Sequence, residues 1–260
     1  MAKIILNADD FGFDEDTCKA TIDCFERGAL TSATIMVNCP ASELAIDYAR
    51  KNPQFSYGVH LTYVDSLVPM LDAHEIPSLQ KNGFFYDSND VRKKALFFLL
   101  SKDEIIKESL AQIKVLLDAG IKVSHLDSHG HLHKFPSFLS ALSCVTNKCR
   151  ISRVRRVQNI FLESQHVCVT SILNTLFGLY IDRKYKTTDI FYMPANSHDQ
   201  NWSEQFLRKI EGLNADTTIE IGVHPGYMEN WRKMECQDIQ HVSKLIRASA
   251  HSLITWDNIC

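Results

Sequence analysis

Residues 124–136 read SHLDSHGHLHKFP, and within them His125, Asp127, His129, His131 and His133 fall at every second position. An extended backbone alternates its side chains, so a strand here would project all five polar groups to one face and Leu126 and Leu132 to the other. Solvent faces of strands are normally built from Lys, Glu and Thr, which are absent until Lys134. Imidazole and carboxylate are instead the usual protein ligands of divalent metals. Five such groups cannot all bind one ion, so some are expected to orient the ligands. Gly130 is expected to end the strand and turn the later histidines away.

Outward from this stretch, strand-like and helix-like segments alternate. Residues 3–6 read as a strand running into Asn7-Ala8-Asp9-Asp10-Phe11-Gly12, followed by a helix that Gly28 stops, a strand over 31–37, a helix over 41–51 and a strand over 55–63. The alternation lapses over 64–87, where Pro69, Pro77 and Lys81-Asn82-Gly83-Phe84-Phe85-Tyr86 predict a long excursion with a small hairpin or lid, extending to about residue 90. Helices over 91–101 and 104–119 lead into the histidine strand. Beyond it come a helix over 137–149, a β run over 151–157 containing Arg153, Arg155 and Arg156, and a helix over 166–181. A strand over 189–193, a helix over 203–210, a strand over 217–223, a helix over 238–251 and a sheet-closing segment at 254–256 complete the chain. This order predicts an α/β fold with parallel strands, right-handed crossovers and functional groups at the strands' carboxyl ends.

At 260 residues, with 45% hydrophobic and 23% charged residues, the chain suits one domain with a sizeable core. The balance of 28 basic against 31 acidic residues gives a net charge of -3, which favours neither nucleic acid nor membrane insertion. MAKIILNADDFG holds too short an apolar run for a signal-peptide core, so a cytoplasmic location is expected. The eight cysteines include no C-x-x-C pair and read as small buried apolar residues. A homo-oligomer is compatible with the sequence, which does not decide the matter.

Asp9 and Asp10 are adjacent, so both enter one pocket only if the strand has ended there and the backbone turns. One could then bind a metal while the other stays free to accept a proton from water. His60 in Gly58-Val59-His60-Leu61 and His224 before Pro225-Gly226 are further polar groups at strand ends. One carboxylate with two imidazoles leaves room on a metal for water and a substrate oxygen. Glu220, four residues before His224, is expected on the same face, where it could keep that histidine cationic. A metal-dependent phosphoesterase using the three arginines and a carbohydrate-binding barrel without turnover remain alternatives on this evidence.

Four motifs in order, NADDFG at 7–12, GVHLT at 58–62, HLDSHGHLHKFP at 125–136 and HPGY at 224–227, resemble those of the YdjC-like carbohydrate deacetylases, a group that includes chitooligosaccharide deacetylases. The resemblance spans nearly the whole chain. It implies a distorted, TIM-like (β/α) barrel that removes the N-acetyl group of an amino sugar with a divalent metal. By position it gives Asp10, His60 and His129 as ligands, Asp9 as general base and His224 as the group near the leaving amine. It also places Arg155, with Tyr63, on the substrate side. The resemblance points to magnesium, whereas histidine-rich ligation suits zinc. Gly130 stands where many relatives carry a bulkier residue, which bears on pocket shape.

Overall fold

The computed structural model describes residues 2–162, 170–194 and 202–260. Its elements are β1 (Lys3–Phe11), α1 (Glu15–Glu26), β2 (Ser32–Ile35), α2 (Ser42–Lys51), β3 (Ser56–Leu61), β4 (Gln80–Lys81), β5 (Phe84–Phe85), α3 (Ser88–Leu96), α4 (Lys102–Asp118) and β6 (Val123–Ser128). A 3-10 turn (His129–Lys134) leads to α5 (Pro136–Cys149), α6 (Thr170–Lys184), β7 (Ile190–Tyr192), α7 (Trp202–Ile210), β8 (Thr218–Val223), α8 (Asn230–Ala248), β9 (Ser252–Leu253) and a last 3-10 turn (Trp256–Asn258).

The parallel strands lie in the order β6-β3-β2-β1-β8-β7, with β9 beside the start of β1, and curl into a half-barrel within one α/β domain. The predicted β run after α5 appears only as isolated bridges. Leu126 N donates to Arg153 O (3.0 Å) and Arg155 N to Leu126 O (2.9 Å), while Val154 N donates to Lys186 O (3.1 Å). The segment thus bonds to β6 on one side and to the approach to β7 on the other.

Strand side chains sort by period two. Ile4, Leu6 and Ala8 of β1 join the main core, whereas Ile5 meets Trp256 and Ile259 in a small separate cluster. Asn7, Asp9, Asp127 and Glu220 are buried polar residues on these strands. The C-terminus acts as a plug: Trp256 is fully buried, stacks on His125 (4.4 Å between centroids, 12°), and its backbone N–H donates to Ser56 Oγ (3.0 Å). Gly58 makes room for this stack, since a Cβ there would lie 2.6 Å from His125 Cε1.

Several boundaries differ from the sequence expectation. β1 does not end before the aspartates but continues through them to Phe11. α8 begins at Asn230, eight residues earlier than periodicity suggested, and β9 with the Trp256 turn replaces the sheet closure expected at 254–256. The hairpin at Asn82-Gly83 is present as β4 and β5, because both residues take the positive φ that a two-residue turn needs. The helix expected from residue 166 begins outside the described residues. Cys18, Cys24 and Cys236 are buried as expected, but Cys39, Cys144 and Cys149 are only half-buried, Cys260 is exposed, and Cys168 lies outside the described residues. Among the described residues, no helix is long and apolar enough to cross a membrane.

Replacing Trp256 with Ala should lower the free energy of unfolding by about 3–5 kcal/mol, read as a shift in the urea-denaturation midpoint. An unchanged midpoint would show that the plug does not stabilise the sheet.

Candidate active site

The adjacent aspartates reach one place through a kink inside β1. Asp10 has φ 59, and the pairing of β1 with β2 slips between Ala8 and Phe11. A left-handed, non-glycine residue in a strand is disfavoured. Here it cancels the alternation that would send Asp10 away from Asp9. Neither aspartate caps α1, a role taken by Asp14, which accepts from Thr17 N (2.7 Å).

Asp10, His60 and His129 offer one ligand atom each, all within 4.8 Å of one another. Asp10 Oδ1 lies 3.4 Å from His60 Nε2 and 2.9 Å from His129 Nδ1. The far nitrogen of each ring faces a carboxylate: His60 Nδ1 lies 2.7 Å from Asp127 Oδ1, and His129 Nε2 lies 3.3 Å from Asp65 Oδ2. A carboxylate on the far nitrogen is how metal-binding imidazoles are commonly oriented. The donor set therefore fits a divalent ion. Asp9, His60 and Asp127 form a second close group, but Arg155 Nη1 sits 2.6 Å from Asp9 and 2.5 Å from Asp127, so a cation there would face a guanidinium. The first group is the better metal site, and the 24% exposure of the His129 side chain leaves it open on one side.

Arg155 is fully buried and bridges three strands. It grips Asp9 with two nitrogens (2.6 and 2.7 Å) and Glu220 with two more contacts (2.9 and 2.7 Å), and it also meets Asp127. Asp9 is thus not the free carboxylate that the sequence suggested, since Asn7 Nδ2 also donates to it (2.9 Å). Burial alone would raise the Asp9 pKa, but Arg155 outweighs it and holds the carboxyl well below its usual range. Burial pushes Glu220 up to about 7, only partly offset by Arg155. The expected pairing of Glu220 with His224 is therefore replaced: Glu220 serves Arg155, and the partner of His224 is Glu235 on α8. Glu235 accepts from His224 N (3.1 Å) and lies 3.6 Å from its Nδ1. Burial opposes charge on His224, but Glu235, with Asp10 and Asp9 nearby, raises its pKa.

One more cation completes the pattern. Arg232 Nη2 donates to Asp10 Oδ2 (2.8 Å), leaving Oδ1 toward the histidines. Arg153 instead reaches Ile259 O (2.8 Å), and Arg156 pairs with Asp182 (2.6 Å). None of the three arginines in the β run is left for a substrate phosphate, which removes the observation that favoured a phosphoesterase. Arg155 also has no exposed surface to offer a sugar.

Tyr63 is not brought to the site. It is 1% exposed, its hydroxyl lies 2.6 Å from Ser109 Oγ, and its ring packs on Phe85 and Phe138. The five-residue histidine face is also split. β6 ends at Ser128, and Gly130 (φ 62) and His131 (φ 55) turn the chain. His125 goes to the Trp256 plug, His133 to Ser128 Oγ (2.8 Å) and His131 to Met193 Sδ (3.2 Å). The sequence reading missed Glu235 and Arg232, whose i, i+3 spacing puts them on one side of α8. That signal existed only for a helix starting before residue 232.

The family model described as YdjC-like protein matches residues 3–253. The chain is 26% identical over 226 residues to the carbohydrate deacetylase of Geobacillus stearothermophilus, covering 86% of this chain and 80% of that one. With the carbohydrate deacetylase of Brevibacillus brevis it shares 29% identity over 232 residues, covering 87% and 82%. A crystal structure from Enterococcus faecalis, of a protein proposed to be a cellobiose-phosphate cleavage protein, superposes with a TM-score of 0.77 at 23% identity and 98% coverage of both chains. It shares the fold.

The buried charges make a testable demand. With imidazoles neutral and carboxylates ionised, Asp9, Asp10, Asp127 and Glu220 pair among the described residues with Arg155 and Arg232, and Arg232 is shared with Glu229, so negative charge is left uncompensated beside the histidines. Burial opposes charge on the histidines, yet Asp127, Asp10 and Asp9 push His60 up to about 10, and Asp10 and Asp65 push His129 up to about 9. Raised pKa values mean that both rings carry protons at neutral pH, and these must leave before a metal can bind. Zinc titration of chelator-treated protein at pH 7.5 should therefore release protons, and affinity should rise with pH up to about 9–10. Calorimetry in buffers of different ionisation enthalpy measures this; a pH-independent affinity without proton release would contradict it.

Proposed function

Because the chain belongs to the YdjC-like family, we propose that it is a metal-dependent carbohydrate deacetylase that removes the N-acetyl group of an amino sugar and releases acetate. The observation that carries this reading is the convergence of Asp10, His60 and His129 on one point, with Asp9 and His224 beside it. Two relatives named carbohydrate deacetylase, matching over four-fifths or more of both chains, support the substrate class. We take the curled sheet and its bridging segment at 152–155 as a distorted, TIM-like (β/α) barrel.

An amide is a weak electrophile, and its amine is a poor leaving group until protonated. When bound by Asp10, His60 and His129, a divalent ion would supply Lewis acidity toward water and the carbonyl oxygen. Magnesium follows from the family and zinc from the two imidazoles; the donor set accommodates either. Asp9 accepts the proton of the attacking water. Arg155 keeps that carboxylate ionised and aimed, which lowers its proton affinity but secures the basic form throughout the neutral range. His224, whose pKa Glu235 raises against the effect of burial, donates the proton that lets the amine depart. Substrate contacts are assigned to the rim rather than to the buried Tyr63 and Arg155. The segment between β3 and α3 serves as the lid.

His224→Asn should lower kcat for acetate release by about 10²–10⁴, with KM and divalent-metal affinity close to wild type. A screen of N-acetylated sugars for acetate and of phosphate esters for phosphate tests the class. Phosphate release without acetate release, or full activity in the variant, would overturn the reading.

A further inference from the structure

We propose that Asp65 is a positioning residue that holds His129 in its metal-binding orientation and thereby makes completion of the ligand set depend on the segment between β3 and α3. The proposal rests on the metal-dependent reading above and deepens it.

The two ligand imidazoles are supported unequally. His60 lies on β3 inside the sheet, braced by Asp127 and by Thr34 Oγ1 (3.2 Å). His129 follows the end of β6, immediately before two left-handed residues, so no strand register fixes its ring. Its Nδ1 faces Asp10, and the carboxylate opposite Nε2 is Asp65. Asp65 does not belong to the group whose ligand atoms lie within 4.8 Å, so its place is behind the imidazole and not on the ion.

Asp65 is itself held by the excursion. Its Oδ1 accepts from Ser88 Oγ (2.8 Å) and Ser88 N (3.3 Å) at the start of α3, and its N–H donates to Tyr86 O (3.1 Å). Asp65 and Ser66 are consecutive non-glycine residues at positive φ (62 and 59). Backbone of this kind persists only where surrounding contacts over-determine it. Here it aims Asp65 back toward the strand ends. Tyr86, whose carbonyl accepts from Asp65 N, lines a cavity of about 530 Å³ together with Ser66 and Asp87, so a ligand lodged there would touch one of the two residues that hold Asp65.

The test measures zinc and magnesium affinity of the full chain by calorimetry, with acetate release as a second readout. Asp65→Ala should weaken metal binding by about 10–100-fold, and Asp65→Asn, which keeps an acceptor oxygen, should recover part of the loss. Ser88→Ala loosens the segment without touching His129 and separates positioning from loop integrity; it should lose less than Asp65→Ala. Metal affinity in Asp65→Ala equal to wild type, or an equal loss in Ser88→Ala, would overturn the inference while leaving the metal reading intact. A wild-type chain that binds neither ion would overturn both.

Discussion

A guanidinium sealed away from water governs this structure. Isolating a charge in the interior costs several kcal/mol unless it is closely paired, and Arg155 finds its partners in Asp9 of β1, Asp127 of β6 and Glu220 of β8. A slip of one residue in any of those strands would send its carboxylate to the opposite face and strand the cation. The ion cluster thus supports the parallel register of β1 with β8, and the His60–Asp127 contact that of β3 with β6. It also divides the interior into an apolar end plugged by Trp256 and a polar end open to chemistry.

The candidate metal site depends on the same arrangement. Three carboxylates compensate one arginine with charge to spare, and Asp10 adds a further carboxylate above them against Arg232. The surplus negative potential lies beside His60 and His129, the two groups able to act as neutral ligands or as cations. A polar site of this sign suits a divalent ion, and the carboxylates of Asp127 and Asp65 face the far nitrogens of the two rings while the near nitrogens lie toward Asp10. The kink at Asp10 is what lets two neighbouring residues take different places in one pocket, one in the candidate metal-binding group and the other clamped by Arg155.

Much of this was legible in the sequence, because strand-end polar residues interrupt otherwise apolar runs. The alternation of strands and helices and the hairpin at Asn82-Gly83 follow from local patterns, whereas the choice of Asp10, His60 and His129 as one group came from the likeness of the four motifs to a known family. Period-two reasoning failed where the backbone kinked within a strand: it ended β1 before Asp9 because a bulge leaves no periodic signal, whereas the turn expected at Gly130 is present and carries the later histidines away from β6. It could not choose among Arg153, Arg155 and Arg156, since the choice depends on which carboxylates distant strands supply. Arg153 in fact serves the C-terminal plug. Glu235, Arg232 and Asp65 were invisible for a related reason: they reach the site from α8 and from the excursion, and only the tertiary fold brings those segments over the strand ends.

The central claim is that the ion sits above the Arg155 cluster, among Asp10, His60 and His129. Anomalous diffraction at the zinc edge, from crystals grown with zinc, addresses it directly. The account predicts one strong peak within bonding distance of those three side chains, with Arg155 still gripping Asp9. A peak between Asp9 and Asp127 with Arg155 displaced, or no peak near Asp10, would contradict it.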